Sequence, residues 1–317
     1  MLSQVERVVV VADVSLNTEA VVLAALDRAA CREKRTHGII LMVELGDLRE
    51  GIAIDDAPEA VRAVLGHPSL RLVGLGGNLA CQNGVVPDDR NMGVLSGLVD
   101  STEVRHGISL EIVSGGNSAN LGWALDSHDV GRIDELRLGE AILLGVDPLY
   151  RTPIPGLHTD AFTVTAEVIE VAVKPAAPWG DRAQAAFGEA AVRTGSGTVR
   201  QAILALGHQD VTLAGLRPPA GITILGMSSD HVVVALGDHA VAVGDEIDFG
   251  VAYSALLQAM TSPFVAKVER HGRPAAPTAT ATPTRIRLHG ASSALTRSGS
   301  GPPGSITTTA SSKPASA

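Results

Sequence analysis

The 317-residue sequence is poor in lysine: of its 25 basic residues only Lys34, Lys174, Lys267 and Lys313 are lysines, and the other 21 are arginines. Chemistry that requires an amine side chain therefore has four candidates. There are two cysteines, Cys31 and Cys81, too few for a disulfide framework. The first residues lack the basic and then apolar layout of a secretory signal, so a reducing cytoplasm is the expected compartment. Long apolar runs are missing as well: stretches such as Val8 to Ala12 and Val232 to Leu236 fall far short of the roughly 18 to 20 residues that cross a bilayer, and no membrane partner is expected. Positive charge is in the minority, 25 residues against 34 acidic ones for a net charge of -9. Such a field repels a polyanion, which disfavours nucleic acid as a partner.

What the chain does have is core-forming material, 45% hydrophobic residues with 19% charged, enough for a large buried interior. Residues 271–317 differ in kind: Ala, Thr, Ser, Pro and Gly with five positive charges and no acid. That composition predicts a disordered tail. With its +5 set aside, the -9 becomes -14 for residues 1–270.

Up to about residue 145 short apolar runs alternate with longer amphipathic stretches. The runs are Val8 to Val14, Gly38 to Glu44, Ser69 to Leu75, Ser109 to Ser114 and Glu135 to Leu138, and helix-like segments such as Thr18 to Arg32, Ala57 to Leu65 and Asp89 to Thr102 lie between most of them. This pattern predicts five βα units with parallel strands, either an open doubly wound sheet or part of an eight-stranded barrel. Beyond a proline cluster at Pro148, Pro153 and Pro155 the pattern turns to β-branched runs separated by Gly and Pro, among them Phe162 to Val173, Arg200 to Leu206, Ile222 to Leu225, His231 to Leu236 and Glu246 to Val251. The fold class expected is α/β plus all-β: an α/β domain over 1–153, an all-β domain over 154–270 and the tail over 271–317.

In parallel βα architectures functional groups gather where strands end, and there the unusual polar residues fall. Ser114-Gly115-Gly116-Asn117-Ser118 follows the fourth run. Its glycines let backbone approach a ligand, Ser118 offers a hydroxyl, and a helix starting there offers free N–H groups to a phosphate. The same residues also suit a tight turn with Asn or Ser as helix cap. Arg137 ends the fifth run and gains interest only beside a phosphate cofactor.

Together these segments resemble the pyridoxal-phosphate-dependent alanine racemase superfamily, most nearly its ornithine racemase-like branch. The likeness rests on Ala12-Asp13-Val14-Ser15-Leu16-Asn17, on Leu41 to Gly51 (LMVELGDLREG), on Ser114 to Ser118, on Leu136 to Gly145 (LRLGEAILLG) and on Ser228-Ser229-Asp230-His231. The resemblance implies a partial (β/α)8 alanine-racemase-like barrel, with five βα units and the first three missing, followed by a β domain. It also implies a homodimer in which each barrel mouth is covered by the partner's β domain. Pyridoxal 5'-phosphate is the implied cofactor, with no metal. Ser118 and the N–H groups of Gly139 and Glu140 would hold its phosphate, Arg137 would face the pyridine nitrogen, and Asn78 would pack beside the ring. Arg49 would take the substrate carboxylate, Asp230 and His231 would reach the substrate from the partner, and His208 stands where the family carries its second base, a tyrosine.

The function implied is racemisation of a small amino acid of the ornithine or alanine type through an aldimine. The family's Schiff-base lysine lies on the first barrel strand, and none of the four lysines matches it by position, so the chain as written is expected to be inactive. Two alternatives stand beside this reading. One is a noncatalytic homologue that binds phosphate ligands or a complete homologue; the other is an α/β nucleotide- or sugar-phosphate-binding protein.

Overall fold

Five short strands of Val, Ile, Leu and Gly lie side by side in the computed structural model, which describes residues 1–188, 193, 195–270 and the backbone of 285–289. They are β1 (Val14–Asn17), β2 (His37–Met42), β3 (Leu70–Gly76), β4 (Ile112–Asn117) and β5 (Glu135–Arg137). Every pairing is parallel, and the strand order follows the chain, β1-β2-β3-β4-β5. A doubly wound sheet reverses its order at a switch point, whereas a barrel sheet does not. The unbroken order therefore identifies the barrel-type sheet and removes the doubly wound alternative.

The connecting helices are α1 (Val5–Val11), α2 (Ala20–Arg32), α3 (Ala57–Leu65), α4 (Asp89–His106), α5 (Asn120–Asp126) and α6 (Glu140–Leu144). Strand β2 is buried along its whole length, as a parallel strand covered on both faces must be. Its alternate residues divide between two cores. Ile39 and Leu41 join Leu23, Leu26, Val61 and Leu95 of the helices, while Ile40 and Met42 meet Val73 on the opposite face. Helix α4 begins with a capping box, Asp88 Oδ1 accepting from Asn91 N and Asn91 Oδ1 accepting from Asp88 N, and stops at Gly107 in the left-handed region.

One expected strand is a helix. The apolar run Val8 to Val14 predicts the first strand, but residues 5–11 form α1 and β1 starts only at Val14. The reason is a four-residue spacing: Val5 and Val9 are buried, while Val10 and Val11 lie 54% and 70% exposed. That is the pattern of a helix with one covered face rather than of a buried strand.

The β domain contains β6 (Phe162–Pro175), β7 (Thr198–Leu204), β8 (Leu216–Arg217), β9 (Thr223–Met227), β10 (Val232–Ala235), β11 (Glu246–Val251), β12 (Ala266–Arg270) and β13 (Arg285–His289). The long β6 pairs with β11 and β13 along its first half and with β7 along its second. Val164, Ala166, Leu204, Val232, Val234 and Phe249 form its dry interior. Two corrections arise here. The domain is not all-β, because α7 (Tyr253–Thr261) buries Ala255, Leu256 and Ala259, a helical i, i+1, i+4 face. The expected tail from 271 lies outside the described residues except for Arg285–His289, which enters the sheet between β12 and β6. Its Arg-Ile-Arg-Leu-His alternation has the two-residue period of a strand, a signal hidden by the composition around it.

The described residues divide into two compact units, one of Met1–Ile142 with Val146–Pro155, the other of Leu143–Gly145 with the described residues from Gly156 to His289. No helix among the described residues is long and apolar enough to cross a membrane.

Candidate active site

At the carboxyl ends of β1, β2, β3 and β5 lies a cavity of about 360 Å³ lined by Leu16 and Met42 and, around its rim, by Asn17, Thr18, Arg49, Glu50, Asn78 and Arg137. Arg49 and Glu50 arrive on the loop after β2. An isolated bridge between Val43 and Ile52 closes the neck of this loop, with Glu44 N bonded to Ile52 O at 3.0 Å and Ile52 N to Met42 O at 2.8 Å. The two side chains pair with each other through Arg49 Nε and Nη2. That hydrogen bonding is the main cause of a guanidinium pKa raised above its ordinary value, which burial opposes.

The same loop is pinned by Asp47, whose side chain is buried. Its carboxylate accepts from the backbone N–H groups of Cys81, Gln82, Asn83 and Val85 at 3.0, 2.8, 3.0 and 3.4 Å. Burial alone would push this carboxyl up, but the N–H donors outweigh it and hold the pKa below the usual carboxylate value. Asp47 thus ties the loop after β2 to the loop after β3, and the latter begins with Asn78.

Arg137 stands half-buried at the end of β5 and reaches across the strand ends. Nη1 donates to Ser114 Oγ, and Nη2 donates to Gly77 O at 2.9 Å and Asn78 Oδ1 at 3.3 Å. Burial lowers its pKa, opposed by Glu135 and Glu50; an arginine nevertheless keeps its charge. Asn117 completes the network, its Nδ2 donating to Asn78 Oδ1 at 2.8 Å and Leu79 O at 2.7 Å. Asn78 Nδ2 in turn donates to Cys81 Sγ at 3.1 Å.

One residue beyond the paired Asn117 and Arg137 lies a cradle of donors. Buried Ser118 accepts at Oγ from Gly139 N at 3.0 Å and Ala141 N at 3.1 Å. The N–H of Glu140 bonds to no described residue, and its carboxylate pairs with Arg151. Packing requires the glycines of Ser114 to Ser118. A Cβ on Gly115 would lie 2.5 Å from Ile133, and Gly116, at φ +142°, has Asn120 Oδ1 2.2 Å from where its Cβ would be.

Pyridoxal phosphate, which the sequence resemblance implies, fits this donor set in part. A hydroxyl beside the open N–H of Glu140 suits a phosphate, and a permanent cation at the cavity wall suits a ring nitrogen that stays unprotonated. No lysine among the described residues lines the cavity. Lys34 sits in the turn after α2, Lys174 pairs with Glu170 at 2.5 Å, Lys267 donates to Ser262 O, and Lys313 lies outside the described residues.

The expected residues His208, Asp230 and His231 lie in the β unit, next to one another. His208 N donates to Ser228 O at 3.0 Å and Gln209 N to Ser229 O at 2.9 Å, and the Asp230 and His231 side chains pair at 3.2 Å. Gly207 makes the contact possible: a Cβ there would fall 2.3 Å from Asp230 N and from Ser229 O. The His208 ring rests on Phe187, with centroids 4.4 Å apart, and its carbonyl accepts from Gln258 Nε2 at 2.5 Å. Sequence reasoning missed Asn17, Asp47 and Asn117 as site-building residues, although all three fall within or beside the motifs it used.

The family described as alanine racemase, N-terminal domain, matches residues 6–148. The ornithine racemase of Acetoanaerobium sticklandii is 37% identical over 272 residues, covering 84% of this chain and 77% of that protein. The lysine racemase of Thermotoga maritima is 40% identical over 246 residues, 77% of this chain and 68% of that one. Among solved structures, the alanine racemase of Streptomyces coelicolor superposes with a TM-score of 0.59 at 20% identity, over 77% of this chain and 64% of that one. A D-threonine aldolase from Filomicrobium marinum gives 0.58 at 18%, over 80% and 66%. The chain therefore spans about two thirds of the length of these structures. A third, the alanine racemase of Bartonella henselae, carries covalently bound pyridoxal phosphate and gives 0.55 at 17%, over 82% and 70%. With two relatives at 37% and 40% identity that it covers for more than two thirds of their length, the chain belongs to the alanine racemase family.

Proposed function

We propose that the first unit binds pyridoxal phosphate and orients a basic amino acid, ornithine or lysine, for racemisation at its Cα. The observation that carries this reading is Arg137, held by Ser114, Gly77 and Asn78 on the wall of the cavity, with Ser118 one residue beyond Asn117, the strand partner of Arg137. The names of the two curated relatives supply the substrate class.

The Ser118 hydroxyl and the open N–H of Glu140 would hold the phosphate, while the Gly139 and Ala141 N–H groups, which donate to Ser118 Oγ, fix that hydroxyl. Arg137 meets the ring nitrogen with a charge that does not give up its proton. When bound, pyridoxal phosphate withdraws the electron pair released as the Cα–H bond breaks. Arg49 takes the substrate carboxylate through Nη1, the guanidinium nitrogen that its pairing with Glu50 through Nε and Nη2 leaves open. Racemisation needs proton transfer on both faces of Cα. We assign one face to His208 from the second copy of a homodimer, with Asp230 and His231 beside it to meet a cationic side chain. The other face belongs to an amine, and none lines the cavity among the described residues. The chain on its own is therefore expected to bind the cofactor without turning over an amino acid.

Titration of the full chain with pyridoxal phosphate tests this. The expected result is saturable, dialysable binding with no adduct trapped by borohydride, weakened about tenfold by Ser118→Ala through loss of one hydrogen bond to a charged group. Absence of saturable binding refutes the cofactor site, and racemisation of ornithine or lysine by the 317-residue chain refutes the absence of an amine from it.

A further inference from the structure

Asn17 closes the cavity at the end of β1 and is only 8% exposed. Its amide nitrogen is fully engaged within the protein, since Nδ2 donates to Ser15 O at 2.9 Å and to Ser15 Oγ at 2.9 Å. The first of these bonds fixes which way the carboxamide faces, because a flipped side chain would set one carbonyl oxygen against another. Ser15 Oγ is itself held at 2.7 Å by Nε2 of buried His37. The carboxamide cannot turn, and its other end, Oδ1, has no hydrogen-bond partner among the described residues although the side chain lines the cavity.

Three of the other polar side chains around the rim are held within the protein. Arg49 and Glu50 hold each other, and the Asn78 amide is used at both ends, by Asn117 and Arg137 on oxygen and by Cys81 on nitrogen. Asn17 Oδ1 is thus an acceptor with no described partner on a side chain that is 8% exposed and lines the cavity, so a ligand there can donate to it in place of water. β1 is separated from β3, whose end receives Arg137, by β2 alone, which places Asn17 about 10 Å from that point.

We infer that Asn17 is a ligand-reading residue of this cavity: its fixed carbonyl oxygen accepts a hydrogen bond from an N–H or O–H group of the bound cofactor–amino acid pair. The inference deepens the cofactor reading above and rests on it. Two sources can supply the donor, the side-chain ammonium of a basic amino acid or a group on the pyridoxyl half, and the probes separate them.

The probes are phosphopyridoxyl-ornithine and phosphopyridoxyl-norvaline, reduced adducts that carry phosphate, ring and amino acid in one stable molecule and require no lysine. Their binding to the full chain and to Asn17→Leu is measured by calorimetry. A loss of about tenfold in the variant, the size expected for one hydrogen bond, supports the inference. Loss for the ornithine adduct alone identifies the ammonium, and equal loss for both identifies the pyridoxyl half. Unchanged affinity for both adducts overturns it. If neither adduct binds the unaltered chain, the cofactor reading falls and takes this inference with it, whereas binding without a role for Asn17 leaves that reading intact. Because Asn17→Leu also removes the bonds to Ser15, crystals of the unaltered chain with the ornithine adduct give an independent answer. A ligand donor within hydrogen-bond reach of Oδ1 supports the inference, and only carbon or water there overturns it.

Discussion

Removing the carboxylate of Asp47 by Asp47→Ala should loosen the loop that carries Asn78 and Cys81. Three of the four backbone donors to Asp47 lie at 2.8 to 3.0 Å and the fourth at 3.4 Å. Residues 81–84 are exposed, so the freed N–H groups reach water and only the net worth of each bond is lost, about 1.5 kcal/mol for a bond to a charged acceptor. Three such bonds, less the relief of no longer burying a charge, leave a cost of about 3 kcal/mol. Hydrogen exchange followed by mass spectrometry should show faster exchange across residues 79–86, together with a lower denaturation midpoint if the loop does not open on its own. The pH dependence has a definite sign. Burial pushes the Asp47 carboxyl up, the N–H donors more than reverse this, and the folded value lies below the unfolded one. The unfolded chain therefore takes up the proton first as pH falls. The stabilisation is complete above about pH 4 and is lost as pH drops through the depressed folded value, and this acid-side slope should be weaker in the variant. A change in stability under about 0.5 kcal/mol with unaltered exchange over 81–85 would refute the argument.

In the β unit, Gly207→Ala should cost about 2 to 3 kcal/mol by overpacking, because the added methyl overlaps Asp230 N and Ser229 O; a melting temperature equal to that of the unaltered chain would contradict this. His37 is buried, and burial is the main cause of a pKa below its ordinary value. Neutral His37 therefore contributes stability above about pH 6.5 that is lost as pH falls through the lowered folded value, and the dependence should flatten in His37→Gln. An NMR titration in which His37 protonates above its ordinary value would reverse that sign.

The five strands of the first unit were legible where both faces of a strand are covered, because burial on two sides demands an almost uninterrupted apolar run, as in His37–Met42. The same rule misled at Val8 to Val14, since a short valine run does not reveal whether one face is bare, and Val10 and Val11 are bare. Helix α7 escaped notice because Tyr253–Thr261 spans little more than two turns among strands. The site residues with charge or hydroxyl groups, Arg49, Arg137 and Ser118, could be found from motif positions. Asn17 could not, since its state depends on Ser15 two residues before it and on His37, which is 22 residues from Ser15. Asp47 likewise takes its meaning from amides 34 to 38 residues away, a separation that local pattern does not encode.

Arg137 has one further consequence, for motion. Its guanidinium is attached to β5 yet grips Ser114 on β4 and the Gly77-Asn78 segment that follows β3. Parallel strands have no hairpins to restrain their carboxyl ends, so this one side chain limits how far three of them can splay. Whatever competes for the guanidinium slackens all three at once, and occupancy of the cavity should be audible as a collective change in strand-end fluctuations rather than as the displacement of any single loop.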